Sequence, residues 1–169
     1  MDIDSLCIGL YSVRMEEEDS GLAPDVVLPI LLRPGRGVYG MFIRDALTEA
    51  GFTDMPGPGG YVLGLIAPEG TPLGEVISDL GVAKQTASQL VDTLVVRGYL
   101  ERSEDPDDRR RVLLALTERG RSASAVVQST AQEVDARLVA VVGAEHMQHT
   151  KETLVALLNL HPSSSALKR

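Results

Sequence analysis

The sequence has one cysteine, no tryptophan and few aromatic residues, 4% in all. A single cysteine excludes a disulfide within the chain. The scarcity of aromatics leaves any core to aliphatic side chains, and apolar content of 44% is enough to build one. No apolar run approaches the ~20 residues that a membrane-spanning helix needs; Val26 to Leu32 is short and contains Pro29. Excess positive charge is also missing. The net charge is −8, which argues against non-specific coating of nucleic acid. Acidic residues at the start of the chain do not fit a secretory signal, so the expected location is cytoplasmic. There is no nucleophile paired with a base, no metal cluster, no dinucleotide fingerprint and no carboxylate pair in a catalytic setting. An enzyme and a cofactor are therefore not expected.

What is present is concentrated between Thr71 and Thr117. Leu73, Val76, Ile77 and Leu80 recur at the spacing of one helical face. Thr71 is placed to cap that helix and Pro72 suits its first position. Gly81 follows where a left-handed residue is expected. After the turn Gly81-Val82-Ala83, a second helix is predicted from about Lys84 to Arg97. Ala87, Leu90, Val91 and Leu94 face inward, leaving Lys84, Gln85, Ser88, Gln89 and Asp92 outside. Gly98 ends it. Two extended runs follow, Leu100 to Ser103 and Val112 to Leu116, around the charged tip Glu104 to Arg111, where Asp105-Pro106 favours a turn. Helix, turn, helix and a charged hairpin make a winged helix-turn-helix. In that module the N-terminal part of the second helix reaches base edges in the major groove. Gln pairs with adenine in two places and Lys with guanine. Arg109, Arg110 and Arg111 suit a narrow groove of high negative potential. Asp108 can hold Arg110 in one orientation.

These residues resemble the MarR family of bacterial transcriptional regulators. The resemblance is carried by Gly81-Val82-Ala83-Lys84, Leu90-Val91-Asp92, Leu94, Arg97-Gly98-Tyr99-Leu100, Asp108-Arg109-Arg110 and Leu116-Thr117-Glu118-Arg119-Gly120, and covers roughly Tyr61 to Gly120. Each piece is weak alone; the combination is specific. One departure is Ala83, where many members carry serine as helix cap; its loss costs ~1 kcal/mol, and a DNA phosphate is the alternative partner for the freed N–H groups.

The flanking sequence fits by pattern only. Residues 1–25 read as an arm, either partly ordered or crossing to a partner subunit. Cys7 in this arm is read as a plain thiol, the alternative being the peroxide sensing that some members perform. Val38, Phe42, Ala46 and Leu47 mark a helix stopped by Gly51, with Pro34-Gly35 kinking or starting it. Gly57-Pro58-Gly59-Gly60 reads as a linker, and Tyr61 to Ala67 as a short helix. Thr117 caps a long helix to about Val142, whose seam is Val127, Ala131, Val134, Leu138 and Val141. After Gly143 a last helix, Ala144 to Leu160, carries Met147, Leu154, Leu157 and Leu158, and Pro162 ends it. His146 and His149 on that helix read as solvated surface, with a shared metal as the alternative.

The expected fold is mainly α with a small antiparallel β wing. Residues 26–57 and 117–162 form a helical dimerisation lobe, 58–116 the winged helix-turn-helix, and 163–169 a flexible tail. The terminal helices carry more apolar surface than a monomer covers, which implies a symmetric homodimer. The expected DNA-binding residues are Lys84, Gln85, Thr86, Ser88, Gln89, Asp108, Arg109, Arg110 and Arg111. The expected partner is double-stranded DNA with a palindromic operator. The resemblance further implies a repressor released by a small phenolic or lipophilic anion, for which Arg44 is a weak candidate contact. The alternative is a winged-helix module that binds another regulator protein.

Overall fold

The structure is a computed structural model and describes residues 26–104, 108 and 111–160. The N-terminal arm with Cys7, the Asp105-Pro106 turn, Asp107, Arg109, Arg110, Pro162 and the tail 163–169 lie outside the described residues. The chain separates into two compact units, Met1–Arg36 and Gly37–Arg169.

Helix α1 spans Leu28–Glu49. It therefore starts ahead of Pro34 and carries that proline inside. Of its expected apolar face, Leu47 is buried and Ala46 half-buried, while Val38 and Phe42 remain exposed. The helix stops at Gly51, whose φ of 88° suits a residue without Cβ.

Helix α2, Gly59–Gly64, starts two residues earlier than Tyr61 and corrects the linker reading. Gly59 and Gly60 are buried helix residues. A Cβ on Gly60 would stand 3.3 Å from both Ile43 and Val127, so its absence lets α2 approach the neighbouring helices closely.

Strand β1 is Thr71–Pro72, helix α3 is Leu73–Asp79 and helix α4 is Lys84–Val96. Strands β2, Leu100–Glu104, and β3, Val112–Leu116, form the hairpin. The sheet order is β1-β3-β2, antiparallel throughout. Leu100 lies opposite Leu116, Arg102 opposite Leu114 and Thr71 opposite Leu114 on the other side. A two-residue strand has no periodicity to detect, so β1 is not visible in the sequence pattern.

Its presence corrects the role of Thr71, which lies one residue ahead of the N-cap of α3. Its hydroxyl donates to the Leu65 carbonyl at 3.1 Å and accepts from the Ala67 N–H at 2.9 Å. Pro72 takes the cap position ahead of α3 rather than the first helical position.

Thr117 does cap helix α5, Glu118–Val142, accepting the Gly120 N–H at 3.0 Å. The expected seam on α5 is buried at Val127 and Val134, but Leu138 and Val141 are exposed, Val141 at 76%. Gly143, φ 85°, separates α5 from helix α6, Ala144–Asn159.

The core gathers Leu47, Val62, Leu63, Ile66, Val76, Val91, Leu94, Tyr99, Leu100, Leu114, Ala123 and Val127. It backs α4 from behind and so fixes which residues that helix presents outward. Among the described residues, no helix is long and apolar enough to cross a membrane.

Candidate nucleic-acid interface

Helix α4 is divided sharply. Ala87, Val91 and Leu94 have no exposed surface. On the opposite side Lys84, Gln85, Thr86 and Gln89 are exposed, and Ser88 is half-buried. The burial pattern thus brings the five expected residues of this helix onto its first turn and a half, four of them open to solvent. The first turn starts at Ala83, whose backbone has cap geometry (φ −54°, ψ 136°) but no side-chain cap bond. Those N–H groups, at the positive end of the helix, are available to an anion.

In the wing, Asp108 and Arg111 are exposed. Arg111 Nε lies 3.7 Å from Asp108 Oδ2, and the Arg111 N–H donates to the Asp108 carbonyl at 2.8 Å. Asp108 thus pairs with its neighbour Arg111; Arg110, the guanidinium it is expected to orient, lies outside the described residues. A second link joins wing and helix, an ion pair from Arg102 on β2 to Asp92 on α4.

The base of the helix is held by a cluster whose joining carboxylate, Asp54, has no signal in the sequence. Asp54, in the loop after α1, accepts hydrogen bonds from the Tyr99 hydroxyl at 2.5 Å and from Arg119 Nη2 at 2.7 Å. Its backbone carbonyl accepts from Arg97. Arg119 also donates to the Arg97 carbonyl at 2.5 Å and lies 4.3 Å from the centre of the Tyr99 ring. Thr117 completes the junction, its hydroxyl donating to the Gly98 carbonyl at 2.5 Å. The sequence motifs Arg97-Gly98-Tyr99 and Leu116-Thr117-Glu118-Arg119-Gly120 are therefore the two halves of one joint, closed by a carboxylate far away in sequence. The Tyr99 hydrogen bond, followed by Arg119, holds the Asp54 carboxyl below its ordinary range. Burial, then the Asp54 hydrogen bond, pushes the Tyr99 hydroxyl up to about 12.

A second tie lies among the long helices. The Tyr39 hydroxyl donates to Asp135 Oδ1 at 2.5 Å, and Lys151 Nζ lies 2.8 Å from Asp135 Oδ2. The Lys151 bond, then that of Tyr39, lowers the Asp135 carboxyl. Burial, then Asp135, raises Tyr39 to about 12. Arg44, His146 and His149 are all exposed. Among the described residues, no group of three His, Cys, Asp or Glu side chains could hold a metal ion.

The sequence pattern that defines the MarR family matches residues 53–111. Uncharacterised proteins of Mycobacterium tuberculosis and Mycobacterium bovis are 30% identical over 142 residues, covering 83% of this chain and 92% of theirs. A solved structure of a MarR-family transcriptional regulator from Rhodococcus sp. RHA1 is 25% identical, with a TM-score of 0.62 over 76% of this chain and 90% of that one. The chain belongs to the MarR family. It is accordingly a MarR-family transcriptional regulator with a winged-helix fold. CouR of Rhodococcus jostii RHA1, solved with p-coumaroyl-CoA, is 26% identical with a TM-score of 0.63, again over 76% of this chain and 90% of its own. The transcriptional repressor CouR bound to a 23-mer DNA duplex shares the fold, with a TM-score of 0.61 at 23% identity over 78% of this chain and 92% of that chain.

Proposed function

We propose that this MarR-family regulator acts as a homodimer that binds double-stranded DNA at an inverted repeat and represses transcription there. Residues 58–116 read the DNA, and the helical segments 26–57 and 117–162 dimerise. The observation that carries the reading is α4: a polar stripe of Lys84, Gln85, Thr86, Ser88 and Gln89 laid over a fully buried Ala87, Val91 and Leu94. Gln85, Thr86, Ser88 and Gln89 read base edges in the major groove, and Lys84 meets phosphate. The wing carries Asp108, Arg109, Arg110 and Arg111 to the adjacent minor groove, with Arg110 as its anchor. CouR, which shares the fold, was solved bound to a 23-mer DNA duplex, and this supports duplex DNA as the partner. Exposed Val38, Met41, Phe42, Leu138, Val141, Leu157 and Leu158 support a second copy as the cover for the long helices. Two-fold symmetry then sets the half-sites about one helical turn apart, ~34–36 Å.

A small phenolic or lipophilic anion releases the DNA. CouR was solved with p-coumaroyl-CoA, which supports the phenolic character of the ligand.

The test is a gel-shift titration with the DNA upstream of the protein's own coding region and with a pool of random duplexes. It is run at two salt concentrations, with Arg110→Ala beside the wild type. Tight binding that weakens with salt, and further in the variant, is expected. Unchanged affinity in Arg110→Ala removes the wing from the reading. Failure to select any duplex turns it towards a module that binds another protein, which a pull-down would then identify.

A further inference from the structure

A protein of net charge −8 that approaches DNA must deal with acidic groups on the approaching face. Helix α4 carries one acid, Asp92, and it stands in line with the reading residues. At 100° per residue Gln85, Gln89 and Asp92 fall within roughly 60° of one another, and Asp92 lies only ~4.5 Å beyond Gln89 along the axis. Its side chain is exposed. A bare carboxylate there would face the phosphates and repel them.

It is not bare, because Arg102 of β2 forms an ion pair with it. The strand register explains how Arg102 gets there. Arg102 lies two residues after the buried Leu100, so both share a face of the sheet. It is also directly opposite the fully buried Leu114, and opposed residues project to the same side. Arg102 thus leaves the hairpin on the side that packs against α4, at the rim of the core. Its neighbours Glu101 and Ser103 point the other way. A cation on the wing is spent on the recognition helix.

We propose that Asp92 and Arg102 are a positioning pair for operator binding: Arg102 cancels the single acid on the reading stripe and ties the wing to the recognition helix at one angle. The pair rests on the DNA-binding reading above. Arg102 acts through Asp92, not by touching phosphate.

The experiment is a fluorescence anisotropy titration of a selected duplex, over a range of salt, with wild type, Arg102→Gln, Asp92→Asn and the double variant. Arg102→Gln uncovers the carboxylate and is expected to weaken binding on the order of ten-fold, since like charges brought together at an interface are strongly penalised. Asp92→Asn keeps an acceptor for Arg102, removes the offending charge and is expected to bind within about three-fold of wild type. The double variant should regain most of the loss. The salt slope of Arg102→Gln should match that of wild type.

Two results overturn the proposal. One is a double variant no better than Arg102→Gln. The other is a salt slope that falls by about 0.9 in Arg102→Gln, the signature of one lost phosphate contact. Melting temperatures are recorded alongside; should Arg102→Gln lose its fold, Arg102→Lys keeps the cation and is expected to bind as wild type, and ten-fold weaker binding by it would overturn the proposal equally. A wild-type protein that binds no duplex removes the DNA-binding reading itself, an outcome visible before any variant is compared.

Discussion

Gly120 shows how a motif letter becomes a physical requirement. A Cβ at this position would stand 2.0 Å from the Tyr99 carbonyl oxygen, which is a backbone atom with nowhere to go. Gly120→Ala must push α5 away from the start of β2 and disturb the Asp54–Tyr99–Arg119 joint. Overpacking of this kind costs roughly 1–3 kcal/mol, and chemical denaturation should report a loss in that range or above. A stability equal to wild type would mean that the junction is looser than its hydrogen bonds indicate. The reading residues make a different prediction. Replacing Gln85 or Gln89 by Ala removes no buried surface, so the melting temperature should hold. Affinity for the operator should fall by ~1–3 kcal/mol if the side chain pairs with adenine. Equal loss on all duplexes would reassign that glutamine to backbone contact.

At the scale of elements, α4 is stabilised by its buried face and not by its start. The sequence showed this in advance, because Ala83 sits where a side-chain acceptor is wanted and Ala87, Leu90, Val91 and Leu94 repeat at helical spacing. The backbone at Ala83 already has cap geometry, so Ala83→Ser should satisfy a free N–H and raise stability by about 1 kcal/mol. A fall in the denaturation midpoint would contradict it. The helices, the hairpin and the Thr117 cap were legible because each depends on local spacing or on one residue next to a helix start. Strand β1 and the Asp54 joint were not. Thr71 looked like a cap because Thr before Pro before an apolar repeat is a good local signal, yet a tertiary partner, Leu114, claimed its backbone. Asp54 sat in a stretch rich in Pro and Gly whose local pattern reads as loop, and its partners Tyr99 and Arg119 come together only when the chain folds. Of the candidate site, the α4 stripe was legible from periodicity. The Asp92–Arg102 link was not, because it depends on the hairpin register.

For the whole molecule, the two tyrosine–carboxylate ties are expected to make stability depend on pH at both ends of the scale. Asp54 and Asp135 have lowered pKa values in the fold. Their contribution is present above the ordinary carboxylate value of 3.8 and is lost as pH falls through the lowered folded values. Tyr39 and Tyr99 are raised from 10.0 to about 12. Their contribution is complete below pH 10 and declines between 10 and about 12, where the unfolded chain ionises first. Melting temperature against pH should therefore drop on the alkaline side in that window. Tyr39→Phe and Tyr99→Phe should each start lower at neutral pH and lose less across it. An alkaline limb as steep in both variants as in wild type would show that other groups govern it.

The small strand β1 has a consequence beyond holding Thr71 in place. Because Thr71 and Pro72 pair with Leu114 and Leu113, the chain from the entry of α3 to the end of the hairpin is a closed loop, its two ends fastened side by side. Closure of this kind favours opening as one cooperative unit. In hydrogen exchange, corrected for each amide's intrinsic rate, the protected amides of α4 and those of β3 should therefore share one opening free energy, as a single cooperative block. Faster exchange in β3 alone would show that the clasp opens while the helix it encloses stays folded.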